Sequence, residues 1–542
     1  VPGIGKGRAQ AIAAAVRERR DETELMAYLH SLGLGPALAR KIRKRYGERA
    51  VHVIREDPYL VAEQVPGIGF KTADAIGRAS GLPADDPRRA AGAVLHLLGE
   101  NAETGHVYAT RDYLVEAAEK LGVPALRAEE ALETLAGRQL IVREDEAIYA
   151  ASLYRAEIDV AERIRARREA TVSQRTVHID ARALEGLSET QADAVRATFQ
   201  TKLLVLTGGP GTGKTTTVRG IVRAQKAEGR AVVLCAPTGR AAKRLQEAAG
   251  AEAKTIHRLL EWNPATARFQ RDAENPVEAD LVLVDESSML NLQLAQRLFA
   301  AVPTHVPLVL VGDVDQLPPV GPGQVLRALI DSGVAPVVRL SMVFRQAQES
   351  HIVRGAHAIL AGVPPSSSPA HLRGSGELFV VKARDPESVL SRLREMLKRL
   401  PTSYSFDPKR DVMVLSPMRR GPLGTERLNE FLQQELNPNP DPAGRAPMLR
   451  SGDRVMQLVN DYEKETFNGD LGEVRTVAGG MTYVNMDGRE VRYKHDDLSD
   501  LALAYASTVH KVQGSEFQAV IVVLHAAHQV LLSRALLYTA VT

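Results

Sequence analysis

Leu203-Leu204-Val205-Leu206-Thr207-Gly208-Gly209-Pro210-Gly211-Thr212-Gly213-Lys214-Thr215 runs from an apolar strand-like tetrad, through a glycine-rich turn, into a helix-compatible segment. This is a complete P-loop in its required context. The glycines let successive backbone N–H groups face phosphate oxygens, Lys214 neutralises the β and γ oxygens, and the Thr215 hydroxyl is placed to ligate Mg2+. Gly209, Pro210, Gly211, Thr212, Gly213, Lys214, Thr215 and Thr216 are therefore the expected ATP cradle.

Around this loop, short β-branched runs alternate with helical segments: Leu203 to Leu206, Ala231 to Cys235, Leu281 to Val284 and Leu308 to Val311. Such alternation predicts a parallel sheet covered by helices. A second block of the same kind begins near Val412 to Leu415 and resumes at Ala519 to Leu524. Between its halves, segments around Gly452, Gly469, Gly472, Gly480 and Gly488 read as a small inserted barrel. The run Leu281-Val282-Leu283-Val284-Asp285-Glu286 delivers two carboxylates at the carboxyl end of a strand, where ligands bind in such sheets. Asp285 is the candidate Mg2+ ligand, and Glu286 the base that orients and deprotonates the attacking water.

Length and composition set the frame. At roughly 100 to 200 residues per domain, 542 residues suggest about three to five domains. A composition 44% hydrophobic and 25% charged excludes disorder and collagen-like repeats. No apolar run approaches the roughly 18 residues of a membrane span, so no bilayer crossing is expected. The single cysteine, Cys235, permits no internal disulfide and points to a reducing, cytoplasmic compartment. Lys plus Arg (69) exceed Asp plus Glu (66) so slightly that affinity for a polyanion must come from local grooves.

The N-terminal region repeats a Gly-x-Gly, then Ala, then Ile, at identical spacing: Gly3, Gly5, Ala9, Ile12; Gly33, Gly35, Ala39, Ile42; Gly67, Gly69, Ala73, Ile76. The pattern resembles the helix-hairpin-helix motif, in which two glycines expose N–H groups at a helix start to one phosphate oxygen. Contact with a DNA backbone, helped by Arg40, Lys41, Arg43, Lys44 and Arg45, and docking of a protein partner both stay open. Residues 89–150 read as three helices followed by strands Gln139 to Val142 and Ala147 to Ala150, an order that resembles a winged helix. The stretch Arg163 to Arg168 reads as a solvated helix face.

Further segments then specify the work of the ATPase: Leu187-Ser188-Glu189-Thr190-Gln191, Pro237-Thr238-Gly239-Arg240-Ala241-Ala242, Thr255-Ile256-His257, Gly312-Asp313-Val314-Asp315-Gln316-Leu317-Pro318, Phe344-Arg345-Gln346 and Ser507-Thr508-Val509-His510-Lys511-Val512-Gln513-Gly514-Ser515-Glu516. In this order they resemble the motif set of superfamily 1 helicases, in the branch that moves 5′ to 3′. The match is particularly to the stand-alone RecD-like DNA helicases with an N-terminal helix-hairpin-helix extension.

The resemblance implies a multidomain α/β chain: two RecA-like P-loop parallel-sheet lobes, a small inserted β-barrel and an α-rich N-terminal domain. The expected boundaries are 1–88 for the repeats, 89–180 for the winged-helix-like part and linker helix, and 181–345 for the first lobe. The second lobe is 346–449 with 499–542, and the Src-homology-3-like barrel is 450–498. Catalysis is implied for Lys214, Glu286, Gln316 and Arg345, the last as an arginine finger on the γ-phosphate. Gln191 would read the adenine edge, Glu516 would fix the ribose and Gly514 would lie near the phosphates. Thr238, Arg240, Thr255, His257, Phe344, Thr508 and His510 would line the DNA track, with Phe467 and Tyr505 as further stacking candidates. A hairpin near 261–275, carrying Trp262, would be a pin at the fork.

The implied activity is ATP-dependent unwinding of DNA, serving repair or recombination, on single-stranded DNA and its junctions with duplex. Every catalytic part lies within one chain, which points to a monomer. The last motif, Tyr538-Thr539-Ala540-Val541-Thr542, stops just before the family's second catalytic arginine, so the chain reads as a piece of a longer protein. Two rivals stay open: an RNA helicase of superfamily 1B, and a DNA-binding scaffold that uses nucleotide as a switch without processive motion.

Overall fold

The computed structural model describes residues 27–28, 31, 36–65, 67–170, 179–264, 266–342, 349–369, 377–438, 449–461 and 463–542. The first repeat copy (Gly3, Gly5, Ala9, Ile12), the glycines of the second (Gly33, Gly35), and Phe344 and Arg345 lie outside these residues. The chain divides into two compact units, Val1–Asp159 with Val320–Gly323, and Val160–Pro319 with Gln324–Thr542.

In the first unit, helices Pro36–Tyr46, Ala50–Glu56, Pro58–Gln64 and Phe70–Ala79 enclose a core that includes Ile42, Ile54, Val61, Val65 and Ile76. The repeat spacing acquires a packing meaning here. Ala39 and Ile42 are 2% and 0% exposed, and Ala73 and Ile76 are both fully buried, because residues three apart share one helix face. Gly67 turns the chain with φ of 94°, which L side chains rarely adopt, and Gly69 starts the next helix. Beyond it come helices Pro87–Glu103, Arg111–Lys120 and Ala125–Gly137. Asp86 caps the first of these through Arg88 N–H, ahead of Pro87 at the first helical position.

The strand pair is Ile141–Glu144 with Ala147–Ala150, and a third strand, Tyr108–Thr110, joins it on the other side of Ala147–Ala150. The first strand starts two residues later than expected. Gln139 (φ 57°) sits in the left-handed region and closes the preceding helix, its N–H donating to Ala136 O.

The second unit contains a six-stranded, fully parallel sheet in the order Val337–Leu340, Leu203–Gly208, Leu308–Gly312, Leu281–Val284, Val232–Ala236, Ala253–Thr255. Its central strands are buried along their length, which is why they read as continuous apolar runs rather than alternating ones. A second parallel sheet has the order Ala506–Thr508, Val412–Ser416, Ala519–Val522. Between its strands lies a five-stranded antiparallel sheet: Arg489–Lys494, Met481–Met486, Leu471–Ala478, Arg454–Gln457, Leu501–Leu503. Its last strand runs past the expected end at residue 498. Among the described residues, no helix is long and apolar enough to cross a membrane.

Two expectations are corrected. Arg167, read as part of a solvated face, is 1% exposed. Its guanidinium donates to Val306 O at 2.7 Å and to Val302 O, and lies 5.6 Å from the Phe299 ring centroid. It thereby satisfies a carbonyl at the carboxyl end of helix Leu292–Ala301, where positive charge is favourable. Tyr505, a stacking candidate, is 2% exposed, and its hydroxyl donates to Asp453. Asp453, itself fully buried, also accepts from Gln433, Asn437 and Arg450 N–H, so the barrel is tied into the second parallel sheet's helices.

Candidate active site

Strand Leu203–Gly208 ends in the P-loop because nothing larger than glycine fits at its last residue. A Cβ at Gly208 would lie 2.7 Å from both Leu340 O and Thr212 Oγ1. Gly211 (φ 72°) and Gly213 (φ 83°) adopt left-handed conformations, and Gly213 caps helix Lys214–Ala227. The loop therefore aims a helix N-terminus, with its unsatisfied N–H groups, at an anion. Thr212 Oγ1 donates to Gly209 O at 2.8 Å, and Lys214 Nζ donates to Gly208 O at 2.6 Å and Gly209 O at 3.1 Å. Thr215 and Thr216 are exposed in the first turn. Gln191 is 1% exposed. Its amide accepts from Ser188 N–H in a capping box and donates to Gly213 O at 3.3 Å, so it props the loop.

Two strands away, Leu281–Val284 delivers the carboxylates. Asp285 N–H donates to Cys235 O at 2.9 Å, and Glu286 N–H donates to Asp285 Oδ1 at 2.9 Å. Glu286 takes φ of 50°, a strained conformation of the kind that persists where surrounding structure imposes it. Burial pushes the Glu286 carboxyl up to about 7, the Asp285 charge adds to this, and Arg244 and Lys214 oppose it. Burial likewise raises Asp285. Cys235, the chain's single cysteine, is fully buried beside this pair, and its thiol is pushed far up by burial and then by Asp285.

The strand between loop and carboxylates, Leu308–Gly312, brings Asp313 to the same edge, where burial raises it and Lys214 opposes. Tyr538, from helix Arg534–Val541 of the second lobe, donates to Asp313 Oδ2 at 2.7 Å. A Cβ at Gly209 would lie 3.3 Å from the same Tyr538 hydroxyl. Next to it, Leu317 N–H donates to Thr539 Oγ1 at 2.8 Å, and Gln513 Nε2 donates to Leu317 O. Gln316 is half-buried in this loop. Gly514 (φ 76°) comes so close to the first lobe that a Cβ there would be 3.3 Å from Ala241 Cβ and 3.9 Å from Glu286 Cγ. Glu516 pairs with Arg244 at 2.6 Å.

Arg244, Asp313 and Tyr538 are site residues that the sequence reading assigned no role. Asp313 and Tyr538 stood inside quoted motifs. The only sequence signal for Arg244 is its place one helical turn after Arg240.

The three threonines assigned to the track all stand where a strand passes into a helix. Thr238 Oγ1 accepts from Ala241 N–H, Thr255 Oγ1 accepts from Arg258 N–H, and Thr508 precedes helix Val509–Val512. His510 is exposed. Arg240 is half-buried, 5.4 Å from the Phe517 ring centroid, while Arg454 lies 5.6 Å from the same ring. His257 joins a cluster with Trp262 and Phe269, whose rings are 4.7 Å apart across the short pairing of Trp262–Asn263 with Arg268–Phe269. Among the described residues, no group of three or more His, Cys, Asp or Glu is placed to hold a metal ion.

A P-loop sheet whose carboxyl edge is met by Gly514, Tyr538 and Thr539 from the elements around a second parallel sheet, with Asp285, Glu286 and Asp313 at that edge, is the motor of an ATP-driven helicase. Comparison with known proteins agrees along the chain. Family models match in series: ATP-dependent RecD2 DNA helicase HHH domain (residues 18–108), AAA domain (191–322), ATP-dependent RecD-like DNA helicase SH3 domain (428–490) and UvrD-like helicase C-terminal domain (503–542). The ATP-dependent RecD2 DNA helicase of Deinococcus radiodurans is 37% identical over 571 aligned positions, which span 100% of this chain and 76% of its own. The RecBCD enzyme subunit RecD of Mycolicibacterium smegmatis is 35% identical over 394, or 65% of this chain and 69% of its own. Among solved structures, the Bacteroides Pif1 helicase in complex with ADP-AlF3 and ssDNA overlaps 66% of this chain and 89% of its own, at 21% identity and a TM-score of 0.40. The chain belongs to the RecD2 family of ATP-dependent DNA helicases and is an ATP-driven DNA-unwinding enzyme.

Proposed function

We propose that the enzyme translocates 5′ to 3′ on single-stranded DNA and opens duplex at the junction ahead of it, as a monomer serving DNA repair or recombination. The observation that carries this reading is the pair of hydrogen bonds joining Tyr538 and Thr539 to Asp313 and Leu317 of the first lobe, beside the close approach of Gly514 to Ala241 and Glu286. A change at the nucleotide is then a change in how the lobes meet. Alternating grips at Thr238, Arg240, Thr255 and His257 on one lobe and Thr508 and His510 on the other convert that change into motion along the strand.

Within the cleft, Lys214 leaves its loop carbonyls for the β and γ oxygens, and Glu286 takes the proton of the attacking water. Arg345 stabilises charge on the transferring phosphoryl group, and Gln316 relays the presence of the γ-phosphate toward the track. Gln191 holds Gly213 in place, and an adenine edge competes with that carbonyl for its amide. The Thr215 hydroxyl and Asp285 carboxylate are hard oxygen donors of the type Mg2+ takes from a protein, and these two residues would hold it. Bound there, the ion would supply positive charge against the phosphate oxygens.

The test is ATP-dependent strand displacement on two duplexes that differ only in a 5′ or 3′ single-stranded tail, with Lys214→Ala as control. Opening of the 5′-tailed duplex alone is expected. Opening of the 3′-tailed duplex reverses the polarity, and ATP hydrolysis with neither duplex opened removes the unwinding assignment.

A further inference from the structure

Helix Gly239–Ala249 of the first lobe carries three cations at positions i, i+3 and i+4, which share one face. Each meets a group beyond the first lobe. Arg240 lies against Phe517, Lys243 Nζ is 3.0 Å from Asp487 of the barrel, and Arg244 Nη2 is 2.6 Å from Glu516. Arg244 Nη1 also donates to Gly514 O at 3.5 Å and stands 3.8 Å from Glu286 Oε1. One guanidinium thus spans the carboxylate read as the hydrolytic base and two groups of the opposite lobe.

The 3.8 Å separation is an ion-pair distance too long for a hydrogen bond. Glu286 is therefore oriented by the charge while its lone pairs stay available to water. Stability gives a poor account of this arrangement, because the Arg244 side chain is 39% exposed, Glu516 is 69% exposed, and exposed ion pairs contribute roughly 0 to 1 kcal/mol. Arginine suits the place because its planar fork can serve two acceptors at once, which an ammonium on a flexible stem cannot do in fixed geometry.

We propose that Arg244 is a positioning residue that ties the orientation of Glu286 to closure of the second lobe through Glu516 and Gly514, so that hydrolysis waits for the lobes to meet. The proposal rests on the reading of Glu286 as the base. The same helix begins at Thr238 and Arg240, and four residues of helix are about 6 Å long. A strand gripped at the helix start and a water held at Glu286 are thus coupled through one rigid turn.

The experiment compares ATP turnover stimulated by oligo-dT in the full chain with Arg244→Ala, Arg244→Lys, Glu516→Ala and the Arg244→Ala/Glu516→Ala double variant, with Glu286→Gln as reference. Binding of a fluorescent non-hydrolysable ATP analogue is measured in parallel. Arg244→Ala is expected to lower kcat roughly 10- to 100-fold, as a small misplacement of a reacting group does, while KM and analogue affinity stay within about threefold. Arg244→Lys recovers part of the rate. The double variant is no slower than Arg244→Ala, because the two residues act as one unit.

Unchanged kcat, a raised KM at unchanged kcat, or losses that add in the double variant each overturn the proposal. Should Arg244→Ala fold poorly by thermal melting, Arg244→Lys decides on the same kcat and KM criteria, and Glu516→Ala, whose carboxylate is also the candidate ribose contact, decides on kcat at saturating ATP alone. Turnover retained in Glu286→Gln removes the base reading itself. A silent Glu286→Gln beside a normal Arg244→Ala removes only the role of Arg244.

Discussion

Tyr538 and Asp313 are 225 positions apart in the chain, yet a 2.7 Å hydrogen bond joins them, with Tyr538 fully buried and Asp313 2% exposed. The bond couples helix Arg534–Val541 of the second lobe to the end of the strand that separates the P-loop from Glu286. Tyr538→Phe leaves a buried carboxylate without this donor, a loss of roughly 1 to 3 kcal/mol. Scanning calorimetry is expected to show the melting of the second unit shifted down, with DNA-stimulated ATP turnover reduced in parallel. An unchanged melt together with unchanged turnover would show that another donor replaces the hydroxyl.

Lys214→Ala removes the ammonium that bonds Gly208 O and Gly209 O, both of which remain at an accessible loop. The fold is expected to survive, as judged by circular dichroism. ATP turnover falls by about 10^2-fold or more, the cost of losing one preorganised donor to developing charge. Residual DNA-stimulated turnover near the parent rate contradicts the role given to this lysine.

The acid limb of the pH profile follows from Glu286. Its carboxyl is raised to about 7 by burial and by Asp285, and a base must be ionised to act. The kcat/KM of DNA-stimulated hydrolysis therefore rises with pH up to about 7 and then levels, the titration belonging to the Glu286–Asp285 pair. The sign for stability is the opposite. Between the ordinary carboxylate range and about 7 the folded state holds a proton that the unfolded chain has released, so stability declines as pH rises through that window. A limb centred near pH 4 to 5 in the parent enzyme would mean that the base feels no burial.

Gly514→Ala forces a side chain into φ of 76° and places its Cβ 3.3 Å from Ala241 Cβ. The left-handed conformation alone costs about 1 to 2 kcal/mol. That cost falls on the folded state, and the added methyl also crowds Ala241 where the two lobes approach. Thermal stability is expected to drop by about that amount, and steady-state ATP turnover to fall as well. An unaffected rate would mean that the lobes do not need this close approach.

A pin at the hairpin of Trp262–Asn263 with Arg268–Phe269 would separate two activities. Trp262→Ala removes the ring that packs on Phe269 and His257, and is expected to abolish strand displacement while sparing oligo-dT-stimulated ATP turnover. Equal loss of both would make the cluster a support of the first lobe instead of a fork element.

Three central strands of the first lobe, Leu203–Gly208, Leu281–Val284 and Leu308–Gly312, were legible because strands covered on both faces are written as unbroken apolar runs, and Val232–Ala236, half-buried at its start, is equally apolar. Ala253–Thr255 and Val337–Leu340 were not legible, since they lie at the sheet's edges, are partly exposed and carry Lys254 and Arg339. Within Arg163 to Arg168, charge was a good guide to exposure at Arg165 and Arg168 and failed at Arg167. Periodicity gives the face of a helix, but the carbonyls of Val302 and Val306 that receive Arg167 lie more than a hundred positions away. The P-loop and Asp285-Glu286 were readable because their geometry is local. Arg244 and Tyr538 meet partners that only folding brings close, Glu286, Gly514 and Glu516 for the one and Asp313 for the other, and no spacing within one segment records that.

The burial of Cys235 has a practical side. With its thiol fully enclosed and strongly disfavoured as thiolate, Cys235, the single cysteine of these 542 residues, presents no reactive sulfur to a maleimide. In this chain exposed Glu247 on the first lobe and exposed Glu430 on the second can each be replaced by cysteine without first removing Cys235. A dye on each would report the cleft opening and closing, one molecule at a time, in an otherwise unaltered motor.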